Sequence, residues 1–204
     1  MIFLIRPLVI TVAAVAAAVF ACKKRFVYEV TLSFGYIMNK IVPHKWPVYN
    51  KITENLYLGR LPLKNNNDHI ALKNEGIGAV VSVVEKFENH SVGIFSDPVT
   101  PDDWKALGVE HLQVETPDFY PLTVESFEKG VTFIESQLTQ GKKVYVHCKA
   151  GRGRSAAMVV AVLRKMQPER FATTKECAAF VKSCRHLVSL RQDKIESIEA
   201  YLAK

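Results

Sequence analysis

The chain has 204 residues, 49% of them hydrophobic, with ten glycines, nine prolines and a formal net charge of +7. That length fits one α/β catalytic domain with a short extra segment and excludes two full domains; the absence of internal repeats excludes a solenoid. The excess of Lys and Arg suits an anionic membrane surface or an acidic substrate.

The first 22 residues carry only one charge, Arg6, and are rich in alanine. Three readings of residues 1–25 compete: a cleaved secretory signal with small residues at Ala16 to Ala18, a membrane anchor backed by Lys23, Lys24 and Arg25, and a mitochondrial targeting sequence, since no acid precedes Glu29. A secretory route would deliver a reactive thiol to an oxidising compartment, which favours the other two. Residues 26–50 read as a linker or an interfacial segment, with Trp46 and Tyr49 placed for a lipid headgroup layer.

The catalytic domain is expected over 51–204. Its pattern alternates: strand "NLYLG", helix from Asn66 to Asn74, strand "GAVVSVV", a helix near Trp104 after Pro101, strand "HLQVE", helix from Thr123 to Gln140, strand "KVYVHC", then three helices. This predicts an α/β fold with a mostly parallel central sheet flanked by helices. In the helix after Thr123, Val124, Phe127, Val131, Ile134 and Leu138 recur at three- and four-residue spacing, with Gly141 as the stop. The last helix, from Arg191, sets Ile195, Ile198, Tyr201 and Leu202 on one face.

The chemistry concentrates in "VYVHCKAGRGRSAAMVVAVL", residues 144–163. A buried strand runs into a glycine-containing loop and then an apolar helix, so loop N–H groups and the helix N-terminus converge on one point and favour an anion there. Cys148 lies at the floor of that cradle, with Lys149, Arg152 and Arg154 beside it, and each of these lowers a thiol pKa. Gly151 and Gly153 allow the loop to curl. A phosphate held by the loop amides and gripped by Arg154 would present its phosphorus to the Cys148 sulfur. Cys22, Cys177 and Cys184 have no such neighbours and read as small buried hydrophobes. Expelling an alkoxide needs an acid, and Asp118, between two prolines in "VETPDFYPLT", stands on a loop where it can supply one.

The run "HCKAGRGRS", His147 to Ser155, resembles the H-C-x-x-G-x-x-R-S/T signature of the cysteine-dependent protein tyrosine and dual-specificity phosphatases. The resemblance implies that Cys148 attacks phosphorus to form a cysteinyl-phosphate, Arg154 binds the phosphoryl oxygens, Ser155 assists the thiolate as leaving group, and His147 orients the cysteine. It implies that Lys149, Ala150, Gly151, Arg152 and Gly153 complete the phosphate-binding loop, that Asp118, thirty residues before Cys148, is the general acid, and that no metal or cofactor is needed. The family commonly carries an Arg-Pro where "SLRQDK" has no proline.

Over about residues 50–200, "LYLGRLP", "VVEKFEN", "WKALGVEHLQVETPD" and "VYVHCKAGRGRS" are similar, in order, to the mitochondrial phosphatidylglycerophosphate phosphatase branch of that family. There the motif after the second strand is E-E-Y-E-T; "EKFEN" keeps Glu85 and Glu88, puts Phe87 for tyrosine, and departs at Lys86 and Asn89. By resemblance Glu85, Phe87 and Glu88 help position substrate. The implied substrate is an anionic phospholipid, the implied partner a membrane surface, and the implied location the matrix side of the mitochondrial inner membrane or another membrane with a cytosolic catalytic domain. Removing the terminal phosphate of phosphatidylglycerophosphate to give phosphatidylglycerol belongs to cardiolipin synthesis. The competing activities are a dual-specificity protein phosphatase acting on phosphoproteins and a phosphoinositide phosphatase; no nucleic acid partner is expected.

Overall fold

The computed structural model describes residues 25–35, 37–42, 44–90 and 97–204. The expected targeting or anchor segment therefore lies outside the described residues, apart from Arg25. Helix α1 (residues 25–35 and 37–41) precedes a five-stranded sheet built from β1 (Tyr49–Thr53), β2 (Leu56–Arg60), β3 (Ile77–Val84), β4 (Glu110–Glu115) and β5 (Lys143–Cys148). Between and after the strands run α2 (Asp68–Asn74), α3 (Pro101–Ala106), α4 (Val124–Thr139), α5 (Arg154–Met166), α6 (Thr174–Cys184) and α7 (Gln192–Leu202).

Sheet order is β1-β2-β5-β3-β4; β1 pairs antiparallel with β2 and the other three pairings are parallel. The mostly parallel sheet follows from the sequence: β3 and β5 are continuous apolar runs because both of their faces are covered. Strand alternation divides the core. Leu58, Val81, Val83, Val144 and Val146 face a large cluster with α4 to α7, while Tyr57, Val80 and Tyr145 face a smaller one closed by Leu72 and Trp104. Ten consecutive residues of α5, Arg154 to Leu163, are buried, which makes it the central helix of the larger layer.

Caps fix the helix starts. Thr123 accepts a hydrogen bond from the Ser126 N–H ahead of α4, and Thr100 and Asp103 form a capping box with Pro101 at the first turn of α3. The helix expected over Asn66 to Asn74 divides into a 3₁₀ turn, Lys64–Asn66, and α2, because Asn67 is left-handed (φ 56°) and the Asp68 carboxylate is committed backward to the Leu63 N–H and to Arg60. Much of 26–50, read from the sequence as a linker or an interfacial segment, is helical among the described residues. Tyr28 and Leu32 of α1 are buried against Leu61, Leu63 and Phe87, and Tyr49 lies in β1 with its ring against Tyr57 and Tyr145, in the sheet rather than at a headgroup layer.

Candidate active site

Strand β5 delivers Cys148 to the C-terminal edge of the sheet, where the chain turns through residues 149–153 into α5. The turn depends on two glycines that meet: Gly151 has φ +65°, and a Cβ there would lie 2.4 Å from the carbonyl carbon and oxygen of Gly59 on β2. Gly153, expected to serve the same curl, has an ordinary φ of −121° and stands at the N-cap of α5. It makes no side-chain cap, so the first N–H groups of α5 are available to the cradle.

Cys148 is 3% exposed. Burial pushes its thiol pKa up, but the Arg154 guanidinium, the Ser155 hydroxyl and the backbone N–H groups of Ser155 and Arg152 outweigh it, and the net shift is downward. The Ser155 Oγ donates to Sγ at 3.2 Å. Cys177, buried without such partners, shows the opposite: burial drives its thiol up to about 12. The same residue type is thus pushed toward thiolate at one position and toward neutral thiol at another.

Arg154 is held from behind. Its guanidinium makes a two-pronged contact with Glu88, 2.6 Å to Oε2 and 3.1 Å to Oε1, and donates to the Thr116 carbonyl at 3.0 Å; both side chains of the pair are 2% exposed or less. Its remaining prong reaches Asp118 Oδ1 at 3.1 Å. By resemblance Glu88 helps position substrate; in the structure it is buried beneath Arg154 and holds that guanidinium. Glu85 likewise sits behind the acid loop and accepts the Asp118 backbone N–H at 3.2 Å, while Phe87 packs edge-on against Tyr28 of α1. The "EKFEN" turn therefore locks three parts of the site together.

Asp118 also accepts from Lys149 Nζ at 2.5 Å and from the Phe119 N–H at 3.1 Å. Burial alone would raise its pKa, yet Arg154 and Lys149 hold the carboxyl below the usual carboxylate range. The acid loop is clamped from α7: Lys194 donates to the Phe119 and Tyr120 carbonyls and Arg191 to the Phe119 carbonyl. Lys149 commits its charge to Asp118 rather than to Cys148, with its ammonium over the Tyr28 and Phe119 rings. Arg152, expected to bias the thiol by its charge, turns its side chain outward to the Leu187 carbonyl and serves Cys148 through its N–H. Ala150 is exposed and borders the cavity over Cys148.

His147 is 1% exposed and stacks on Tyr145. Its Nε2 shares the Ser82 hydroxyl (2.7 Å) with His111 Nε2 (2.8 Å). Burial, with His111 next, lowers the His147 pKa to about 3; burial, with His90 next, lowers that of His111 to about 4. Both rings are neutral at pH 7, so the chain steers the strand end by hydrogen bonding rather than by charge.

Besides Arg60, ion-paired with Asp68, two further buried cations have no mark in the local sequence. Arg185, 1% exposed, donates to the Gly151 and Ala150 carbonyls and to Pro47 O and Asn50 Oδ1, tying the back of the loop to β1 and the residues just before it. Burial lowers its pKa to about 10. Lys194 is the other. Each stands alone among polar neighbours in the sequence, and nothing in the local pattern marks either as buried.

Above Cys148 opens a cavity of about 650 Å³. Its floor is cationic, with Arg154, Lys194 and Arg185, and one wall is apolar, from Val30 and Phe34 of α1 and Trp46. An anion bound at the floor would face Sγ with Arg154 and the loop amides around it, and Asp118 at its edge. Such a site is built to bind a phosphate-like anion beside a thiol.

Residues 56–203 match the dual specificity phosphatase catalytic domain. The chain belongs to that family. It is a cysteine-based phosphatase, a phosphoric monoester hydrolase. The mouse protein named phosphatidylglycerophosphatase and protein-tyrosine phosphatase 1 is 34% identical over 154 residues, 75% of this chain and 75% of its own length. Among solved structures, PTPMT1 in complex with PI(5)P superposes with a TM-score of 0.65 at 32% identity, covering 76% of this chain and 94% of that one. Tk-PTP in its active form reaches the same TM-score at 28% identity, covering 78% of this chain and 99% of its own. The dual-specificity phosphatase fold expected from the sequence is the fold observed.

Proposed function

We propose that this enzyme is a phosphatidylglycerophosphate phosphatase that yields phosphatidylglycerol for cardiolipin synthesis, working on the matrix side of the mitochondrial inner membrane. The observation that carries the lipid reading is the cavity, whose cationic floor over Cys148 continues into the apolar wall of α1 and Trp46. A phosphomonoester attached to a diacylglycerol backbone fits both surfaces, whereas a phosphopeptide uses only the floor. The names of the mouse relative and of the PTPMT1 complex support the same class.

In this reading the Cys148 thiolate attacks phosphorus, the phosphorus–oxygen bond to the glycerol breaks, and Asp118 gives its proton to the departing oxygen. Water then attacks the cysteinyl-phosphate while Asp118 takes its proton. Sulfur leaves as a thiolate under the Ser155 hydroxyl, and inorganic phosphate departs. In the resting site Asp118 is an ion-paired carboxylate and not yet an acid. A phosphate dianion that takes the Arg154 prong now given to Asp118 removes a cation from the carboxyl and sets negative charge beside it. Both changes raise the Asp118 pKa, so substrate binding itself arms the acid.

The test is phosphate release by the full chain from phosphatidylglycerophosphate in vesicles, from PI(5)P and from a phosphotyrosine peptide, with Cys148→Ser as control. The reading expects phosphatidylglycerophosphate to be hydrolysed with the highest kcat/KM and the control to be inactive. Faster hydrolysis of the peptide would replace it with a protein phosphatase.

A further inference from the structure

Of the ten exposed large hydrophobic residues among those described, eight lie on α1 or on the loop after Asp118: Phe26, Val27, Val30, Phe34, Ile37 and Ile41, then Phe119 and Tyr120. The six on α1 recur at the spacing of a single helical face. The opposite face of α1, Tyr28 and Leu32, is the one buried on the domain. The helix thus has two apolar faces, and the outer one is uncovered. It runs straight into the mouth of the active site, since Val30 and Phe34 line the cavity and Phe119 lines its other side. Arg152, which lines the cavity, and Lys45, four residues past the end of α1, are exposed cations, and in the sequence Lys23 and Lys24 directly precede Arg25, the first described residue of α1, in a chain of net charge +7.

We infer that the outer face of α1, with the Phe119–Tyr120 lip, is a docking surface for an anionic lipid bilayer, seating the enzyme with its active-site mouth against the headgroup layer. An apolar stripe about four turns long, flanked by cations, is the pattern of a helix lying in a membrane interface. The rival occupant is the chain's own apolar segment before Lys23. The inference rests on the lipid reading for its consequence, which is that a phosphomonoester can enter the cavity while its acyl chains stay in the bilayer.

The experiment uses the full chain and Trp46 as reporter, because Trp46 borders the cavity while Trp104 is buried. With vesicles of phosphatidylglycerol and phosphatidylcholine bearing brominated acyl chains, Trp46 fluorescence is expected to be quenched, and Trp46→Phe should abolish the quenching. The double variant Ile37→Glu, Ile41→Glu, altered at exposed residues away from the cavity, should lose the quenching. It should also lose at least about tenfold in turnover of vesicle-embedded phosphatidylglycerophosphate while hydrolysing para-nitrophenyl phosphate at the parent rate. Absence of quenching in the parent, or full quenching and interfacial turnover in the double variant, would overturn the docking surface and leave the first segment or another protein as its cover. Quenching without hydrolysis of the lipid would uphold docking and refute only the proposed substrate.

Discussion

Glu88→Gln isolates the support behind Arg154 while conserving volume. In the parent, Glu88 neutralises a guanidinium that is 2% exposed and occupies two of its N–H groups at 2.6 and 3.1 Å. The amide offers one oxygen in place of two and turns a donor toward a donor, so the buried cation keeps that single amide oxygen, the Thr116 carbonyl at 3.0 Å and Asp118 at 3.1 Å, and loses the neutralising charge behind it. Removing one partner of a buried pair costs about 3–5 kcal/mol; the surviving amide acceptor and Asp118 reduce this to about 2–3 kcal/mol. For a domain of this size that lowers Tm by about 5–10 °C. Arg154 is also freed to swing toward Asp118, and misplacing a phosphate-binding group by about 1 Å costs about a hundredfold in kcat/KM on para-nitrophenyl phosphate. Thermal unfolding and steady-state kinetics read the two effects separately. Adding Arg154→Met should restore part of the lost stability, because no uncompensated cation remains, but no activity. A Glu88→Gln protein with parental Tm and parental kcat/KM would refute the argument that Glu88 holds Arg154 in place.

Asp118→Asn should slow alkyl phosphates, with their poor leaving groups, about a hundredfold or more, and aryl phosphates far less; equal slowing would move the acid elsewhere. Ser155→Ala removes a donor to the Cys148 thiolate. The parent's folded thiol pKa lies below the ordinary value, so thiolate persists as pH falls, and the variant's iodoacetamide alkylation profile should shift to higher pH. His147 and His111 have folded pKa values of about 3 and about 4, below the ordinary value near 6.5. The unfolded chain therefore binds protons that the folded chain refuses, so the urea midpoint should fall as pH drops from about 6.5 toward 4. His111→Gln should flatten that slope. Arg185→Lys keeps the charge but loses the planar fork that spans Gly151 O and Asn50 Oδ1, and it should destabilise by about 2 kcal/mol in urea unfolding and raise KM for aryl phosphate.

What could be read in the sequence is what lies close together along it. Cys148, Arg154 and Ser155 fall within eight consecutive residues, and the strand and helix flanking them are marked by apolar runs, so the cradle was legible before any coordinate. Asp118 was legible from its prolines and its distance from Cys148. Glu88 meets Arg154 across 66 residues and Arg185 reaches Asn50 across 135, and such pairings depend on the order β2-β5-β3, which no local pattern states. Strand β1, "YNKIT", is a polar edge strand paired on one side only, and periodicity had little to show there. Residues 26–50 read as a linker or an interfacial segment rather than as a helix because the two apolar faces of α1 blur into one aromatic-rich stretch; they separate once Tyr28 and Leu32 are seated on Leu61 and Leu63.

In the proposed mechanism sulfur carries the phosphoryl group. Mixing the full-length enzyme with phosphatidylglycerophosphate bearing a radiolabelled terminal phosphate, quenching in acid within one turnover, and mapping the label decides it. The label is expected on the peptide containing Cys148, absent in Cys148→Ser, and present in greater amount in Asp118→Asn when an aryl phosphate is the donor. Turnover of the lipid with no label on that peptide, or label retained in Cys148→Ser, would contradict it.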